Sequence, residues 1–227
     1  NLANARELFE SYLNNVFTQK GEGWVEYKLE DITFKIGSGA TPRGGASSYK
    51  AEGISLIRSM NVYDRCFVPK KLAFIDDDQA SKLSNVIIEA GDVLFNITGA
   101  SIARCCIAPK GYLPARVNQH VSILRPNHSI ITSEFLCYLM TSRVYKDQLL
   151  GIGDKGGSTR QAITKLQLQE LIVKLPPSVN EQDGLVSDIE GLSNKAKSLE
   201  SIYMNKINSL TELKQSLLQK AFSGQLS

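Results

Sequence analysis

The chain has little of what catalytic and cofactor-binding proteins usually carry. Its 227 residues include two histidines, His120 and His128, and neither has a nucleophile or a second ligand nearby in sequence. The four cysteines, Cys66, Cys105, Cys106 and Cys137, form no C-x2-C pair, and the adjacent Cys105 and Cys106 are poor disulfide partners. That argues against a zinc site or a disulfide framework, and reduced, mostly buried thiols fit a cytoplasmic protein. No apolar run approaches the ~18–20 residues of a membrane span, and the first residues lack the pattern of a secretory signal. An excess of charge of one sign is also missing. The formal net charge is +3, with 19 Lys+Arg against 15 Asp+Glu in residues 21–180 and 5 against 6 in residues 181–227. The modest positive excess lies in the body of the chain.

Nucleotide-binding loops are absent too. The Gly-rich stretch "GSGATPRGGASSY" at 37–49 places Pro42 where a dinucleotide fingerprint needs its last Gly. A P-loop needs Lys and Ser/Thr after its last Gly, whereas Gly44 is followed by Gly45 and Ala46. A second Gly-rich stretch, "GIGDKGGSTRQ" at 151–161, misses both templates. The prolines of "LPPS" at 175–178 are not preceded by the acid or amide of a methyltransferase loop. His120 reads as a strand-end hydrogen bonder rather than a catalytic group. Asp76–Asp78 reads as a helix start favoured by the helix dipole rather than a metal site. No catalytic residue, metal or cofactor is expected.

What is present is a clear change of texture along the chain. Residues 1–21 place Leu2, Ala5, Phe9, Tyr12, Leu13, Val16 and Phe17 on one helical face, and "GEG" then stops the helix. The chain opens on Asn1 directly in this pattern, as expected of a piece of a longer protein. Residues 22–178 alternate short apolar runs with turn residues. "ISLIRSMNV", "KKLAFI", "NVIIEAGDVLFNITG", "RCCIAP" and "HVSILRP" read as strands. One helix is expected over 132–150 and a shorter one over "RQAITKLQLQEL". The fold class is α+β, a mixed, strand-rich domain of ordinary size followed by a long coiled-coil-forming helix.

That helix occupies 179–227, after Pro176 and Pro177 end the preceding strand and Ser178 or Asn180 caps the new element. Leu185, Ile189, Leu192, Ala196, Leu199, Tyr203, Ile207, Leu210, Leu213, Leu217 and Ala221 recur at steps of three and four, close to a heptad seam. Forty helical residues extend about 60 Å. Such a helix could lie on its own domain, but it outruns a domain of this size, so most of the seam needs a helical partner. Leu192, Leu199, Tyr203, Ile207, Leu210, Leu213 and Leu217 are the expected pairing residues, and a homodimer is the expected form.

"ELFESYLNNVF" at 7–17 also lines up with "ELKQSLLQKAF" at 212–222, matching Glu7, Leu8, Ser11, Leu13 and Phe17 to Glu212, Leu213, Ser216, Leu218 and Phe222. The parent would then repeat a globular domain and a helical spacer. Between the spacers, the loops "GSGATPRGGASSY", "IRSMNVYDR", "NITGASIAR", "PARVNQH" and "GDKGGSTRQ" share small hydroxyls, amides and one or two basic residues. Singly they read as turns. Together they suit DNA, since backbone amides and hydroxyls approach phosphates while Arg, Asn and Gln present paired groups to base edges.

In this order, "LFESYLNNVFTQKGEGWVEYKLEDI", "GDVLFNITGAS", "VNQHVSILRP", "STRQAITKLQLQELIVKLPP" and "LKQSLLQKAFSGQL" resemble the specificity subunit of type I restriction–modification systems over almost the whole chain. The departure is that one recognition domain is present where family members carry two. The resemblance implies a non-catalytic subunit that reads half of a bipartite site on double-stranded DNA. It also implies partners, the modification and restriction subunits. The side chains expected to reach DNA are Arg43, Ser47, Ser48, Tyr49, Arg58, Asn61, Thr98, Ser101, Arg104, Asn118, Gln119, Lys155, Thr159, Arg160 and Gln161. The rival readings are a DNA-modifying enzyme fragment and a coiled-coil interaction module without DNA readout.

Overall fold

The chain enters and leaves its globular part side by side. A computed structural model describes residues 2–19, 21, 23–154 and 162–223. The first helix, α1 (Leu2–Gln19), leads into β1 (Val25–Lys28), and β1 pairs antiparallel with the last strand, β11 (Ile172–Leu175). From β11 the chain passes into α6 (Val179–Phe222), so α1 and α6 run against each other on the same flank. Tyr12, Val16 and Gln19 face Glu181, Leu185 and Asp188 across a shared groove.

Between these ends lie β2 (Thr33–Ser38), β3 (Ile54–Ile57), β4 (Val62–Tyr63), β5 (Cys66–Phe67), β6 (Ala73–Ile75), α2 (Asp77–Ser81), β7 (Val93–Asn96), β8 (Cys105–Ile107), β9 (Ala115–Val117), β10 (Val121–Pro126), α3 (Ser133–Thr141), α4 (Arg143–Asp154) and α5 (Lys165–Gln169). The central sheet is antiparallel in the order β2-β10-β7-β8, and a second sheet has the order β6-β3-β9. The central sheet is covered on both faces. Val93, Phe95, Cys105 and Leu124 point into a core shared with the helices. Leu94, Cys106, Val121 and Ile123 point into a second core shared with β3, β6 and β9. This explains why "DVLFN" is continuously apolar instead of alternating: a strand buried on both faces has no polar side.

The helical core is built on aromatic contacts. Phe17, fully buried, meets Phe135 edge-on at 5.4 Å between ring centroids, with Trp24 and Tyr145 at 6.4 and 6.5 Å. Each such pair contributes ~0.5–1.5 kcal/mol beyond its area. α1 is thereby part of the core through Phe9, Leu13 and Phe17. Arg65 adds a polar clamp, pairing with Glu10 at 2.6 Å and lying over the Phe9 ring. Burial pushes the Cys105 and Cys106 thiols up from their ordinary values, which keeps them protonated between the layers.

Local signals set most of the helix starts. Asp76 accepts from the Gln79 backbone N–H at 2.9 Å and Gln79 reaches back, a capping box that starts α2. That bond, followed by the nearby Lys50 ammonium at 3.0 Å, holds the Asp76 carboxyl below its usual range. Thr132, Thr164 and Ser178 cap α3, α5 and α6. The single helix expected over 132–150 is instead two. Ser142 adopts an extended backbone, its hydroxyl donates to Leu139 O at 2.8 Å, and its carbonyl accepts from Lys146 N at 2.9 Å, ending one helix and starting the next. The helix expected over "RQAITKLQLQEL" shortens to α5, because Ala162 and Ile163 are extended and attach to the central sheet. Within "NVIIEAGDVLFNITG" only Val93–Asn96 is strand.

α6 changes character along its length. Near its start Gln182 is fully buried, donating to Ile130 O at 2.7 Å and accepting from Thr132 N at 3.1 Å. Val186 and Ile189 are core residues, with Leu185, Leu192 and Ala196 packed beside them. From Leu199 onward the apolar side chains are about half exposed. The reading of a helix lying on its own domain holds for the first segment, where Leu192, expected as a pairing residue, packs instead against the chain's own core. The seam beyond it is uncovered within this chain. No helix among the described residues is long and apolar enough to cross a membrane.

Candidate nucleic-acid interface

The directions of the strands gather the polar loops onto one edge. β2 and β7 each pair antiparallel with β10, so both end where β10 begins. β3 and β9 pair parallel, Ile57 opposite Val117, and they too end together. Hydrogen bonds stitch these ends across the two sheets. Asn118 N donates to Ile57 O at 3.1 Å, Gly39 N donates to Asn118 O at 3.2 Å, and Asn96 Nδ2 donates to Ser59 O at 2.9 Å. Residues 39–49, 58–61, 97–104 and 118–120 consequently emerge side by side. Ala162 bridges Thr98, and Ile163 N donates to Ile97 O at 2.8 Å, so residues 162 and 163 join the same edge.

Close backbone approach explains one glycine there. A Cβ on Gly39 would sit 1.8 Å from Val117 O, so no larger residue fits where the first loop leaves β2. Beyond it a hydrogen-bonded row crosses the loops. Thr41 Oγ1 donates to Gln119 Oε1. Gln119 Nε2 lies 3.1 Å from His120 Nε2, and His120 Nδ1 lies 2.6 Å from Thr98 Oγ1. Both ring nitrogens of His120 are thereby engaged, one with the Gln119 amide and one with the Thr98 hydroxyl. His120 is thus a strand-end hydrogen bonder that joins two loops.

Two guanidinium groups lie on aromatic rings along the same edge. Arg58 Cζ is 5.3 Å from the Tyr49 ring centroid, and Arg104 Cζ is 4.7 Å from that of Tyr63. α2 supports the first loop from below, Gln79 Nε2 donating to Ser48 O at 3.1 Å. The arrangement offers hydroxyls, amides and two ring-supported cations on a rigid sheet edge, which is chemistry for phosphates and base edges.

The sequence family agrees with that chemistry. The profile of the type I restriction modification DNA specificity domain matches residues 21–211. The chain belongs to this family. It is 28% identical over 176 residues to the type I restriction enzyme EcoBI specificity subunit of Escherichia coli, covering 78% of this chain and 36% of that protein. Among solved structures, it superposes with a TM-score of 0.76 and 23% identity on a chain from a study of complex assembly and conformational transition of the type I R-M system, covering 99% of this chain and 53% of that one. The HsdS subunit from Thermoanaerobacter tengcongensis gives 0.67 and 22%, with 99% and 52% coverage. These likenesses show the fold. The specificity domain with its helices spans about a third to a half of the length of these relatives.

Within the specificity domain, the expected contact residues fall into three groups. Arg43 and Gln119 are exposed, and Tyr49, Arg58, Thr98, Ser101 and Arg104 are partly exposed at the loop edge. Asn61 and Asn118 do not reach outward. Asn61 is fully buried, accepting from Arg58 N at 3.1 Å and donating to Val68 O and Lys70 O at 2.9 and 3.2 Å. Asn118 is nearly buried and accepts from His120 N at 3.0 Å. Both amides satisfy backbone groups that the turns leave orphaned, so they build the loops and leave the reaching to others. The Ser47 and Ser48 hydroxyls donate within their own turn, to Gly44 O and Gly45 O, with Ser47 exposed and Ser48 partly exposed. Lys155, Thr159, Arg160 and Gln161 lie outside the described residues. Sequence reading passed over Thr41, Tyr63 and His120 as contact candidates, although all three lie within the loops it singled out.

Proposed function

We propose that this chain reads one half of a bipartite target on double-stranded DNA, acting without catalysis as the specificity component of a cytoplasmic type I restriction–modification complex. The observation that carries this reading is the convergence of the polar loops on one rigid sheet edge. The edge supplies donors for phosphates and ring-supported guanidinium groups for bases, with a modest positive excess in the body of the chain. Methyl transfer and restriction belong to separate modification and restriction subunits docked on the same chain. The test is duplex binding as a function of salt, by the folded chain with its modification subunit present. About four phosphate contacts give a fall in affinity of roughly a hundredfold between ~50 and ~200 mM salt. Undetectable affinity at low salt would refute DNA reading and leave an interaction module.

A second reading concerns assembly, and the half-exposed apolar seam from Leu199 onward supports it. Two copies pair through antiparallel α6 helices. That order carries the two recognition edges to opposite ends, as a bipartite site requires. The boundaries at 21/22 and 178/179 then separate a spacer remnant, a reader and a spacer.

A further inference from the structure

The two ring-supported arginines are not equivalent. Arg58 Nη2 donates to Lys71 O, and its Nε is buried without a partner, so this guanidinium is turned toward the protein. Arg104 is held by its backbone instead. Its carbonyl accepts from Asn96 N at 2.8 Å and its N–H donates to Ser101 O at 3.2 Å. Ala103, just before it, takes a left-handed φ of 64° and is locked by donating to Asn96 O at 2.8 Å. A left-handed residue that is not glycine persists only where hydrogen bonds hold it, so the turn that presents Arg104 is fixed. Among the described residues the Arg104 guanidinium has no hydrogen-bond or ion-pair partner. It lies on the ring of Tyr63, which is itself 42% exposed. Arg43, exposed and on no ring, has none of this preorganisation.

We infer that Arg104, held over the Tyr63 ring with its fork of donors unspent, reads a guanine in the recognised half-site, and that Tyr63 is its positioning residue. The inference rests on the proposed DNA reading. A planar guanidinium donates two parallel hydrogen bonds to guanine O6 and N7 in the major groove, the commonest specific contact between a side chain and a base. Lysine carries the same charge without the fork. Stacking on Tyr63 removes most of the rotamers that Arg104 would otherwise lose on binding. Arg58, turned toward the protein by its bond to Lys71 O, shapes the neighbouring wall.

The test offers a pool of duplexes with a randomised half-site to the chain in the presence of its modification subunit. The unmodified chain enriches guanine at one or more positions. R104K abolishes the preference at one of them, a loss of about 5- to 150-fold in discrimination there, and leaves the other positions unchanged. Replacing that guanine by 7-deazaguanine, which lacks the N7 acceptor, weakens the unmodified chain but not R104K. Y63F retains the preference and Y63A reduces it. The inference is overturned if R104K keeps every guanine preference. It is also overturned if R104K loses affinity evenly across all sequences with a salt slope smaller by about one, the mark of a phosphate contact. Failure of the unmodified chain to enrich any sequence overturns the DNA reading itself, and this inference with it.

Discussion

Replacing Leu199, Ile207 and Leu210 by Asp should separate the self-association of this chain from its folding. These side chains are 42%, 49% and 57% exposed, and Ile202, Met204, Leu213, Leu217 and Leu218 are exposed to a similar degree. Full burial of a Leu or Ile contributes ~1.5–3 kcal/mol, so a side chain already half covered by its own helix gains about 1 kcal/mol on pairing. Pairing along several turns of the seam must outweigh the ~4–15 kcal/mol of translational and rotational freedom lost on association. The triple substitution removes three contributions from each helix, about 6 kcal/mol, and places carboxylates in the seam, so the constant rises at least ~10⁴-fold. Sedimentation equilibrium between ~1 and ~100 μM should show the unmodified chain dimeric and the variant monomeric. The globular part should still melt in one cooperative transition, because these residues lie beyond the core, with Tm lowered only by the lost dimer linkage. The partner reasoning fails if the unmodified chain is monomeric at tens of micromolar, and the seam is then held for the modification subunit. It fails equally if the variant still dimerises.

Two further substitutions probe the frame. Asp92 is buried and grips Arg125 through both carboxylate oxygens at 2.8 and 2.9 Å while accepting from Glu89 N at 2.7 Å. D92A leaves Arg125 with Glu89 and Ile87 O as partners but orphans the Glu89 N–H, at a loss of ~1–3 kcal/mol, lowering Tm by roughly 2–12 °C in calorimetry. Since Asp92 precedes β7 and the loops follow it, sequence preference should survive, and a Tm change below ~2 °C would show that the pair is not holding the sheet. Gly39→Ala forces a methyl group against Val117 O and should break the Gly39–Asn118 bond, costing ~1–3 kcal/mol and weakening duplex binding. Unaltered binding by that variant would remove the first loop from the reading edge.

The fold was legible where local chemistry decides it. Capping by Asp76, Thr132 and Ser178, the double proline before α6 and the heptad spacing all act within a few residues, and the structure follows them. What depends on tertiary partners was not legible. Ser142 looks like an ordinary helical position until its hydroxyl and carbonyl are seen closing one helix and opening the next. The seam of α6 gives no sign in its spacing that Leu192 is used by the chain's own core while Leu199 is not. Asn61 and Arg104 pose the same problem at the candidate site. Both are polar residues in polar loops, and only burial tells the residue that builds the turn from the one that can reach out of it.

That division between builders and readers bears on how such an edge could change its target. Asn61, Asn96 and Asn118 spend their amides on backbone groups at the ends of β3, β7 and β9, so they fix the positions from which the loops depart. Arg43 projects from its loop without entering either core, and Arg104 rests on a surface tyrosine, while Gln119 is tied to Thr41 and His120. A substitution at a reader alters the groups offered to a base while leaving every hydrogen bond of the frame in place. A substitution at a builder orphans a buried polar group, at ~1–3 kcal/mol, before it can alter any contact. On the proposed DNA reading, recognition can drift at Arg43 and Arg104 at almost no cost to folding, whereas the turns that present them, and Gln119 in its row of hydrogen bonds, cannot drift with it.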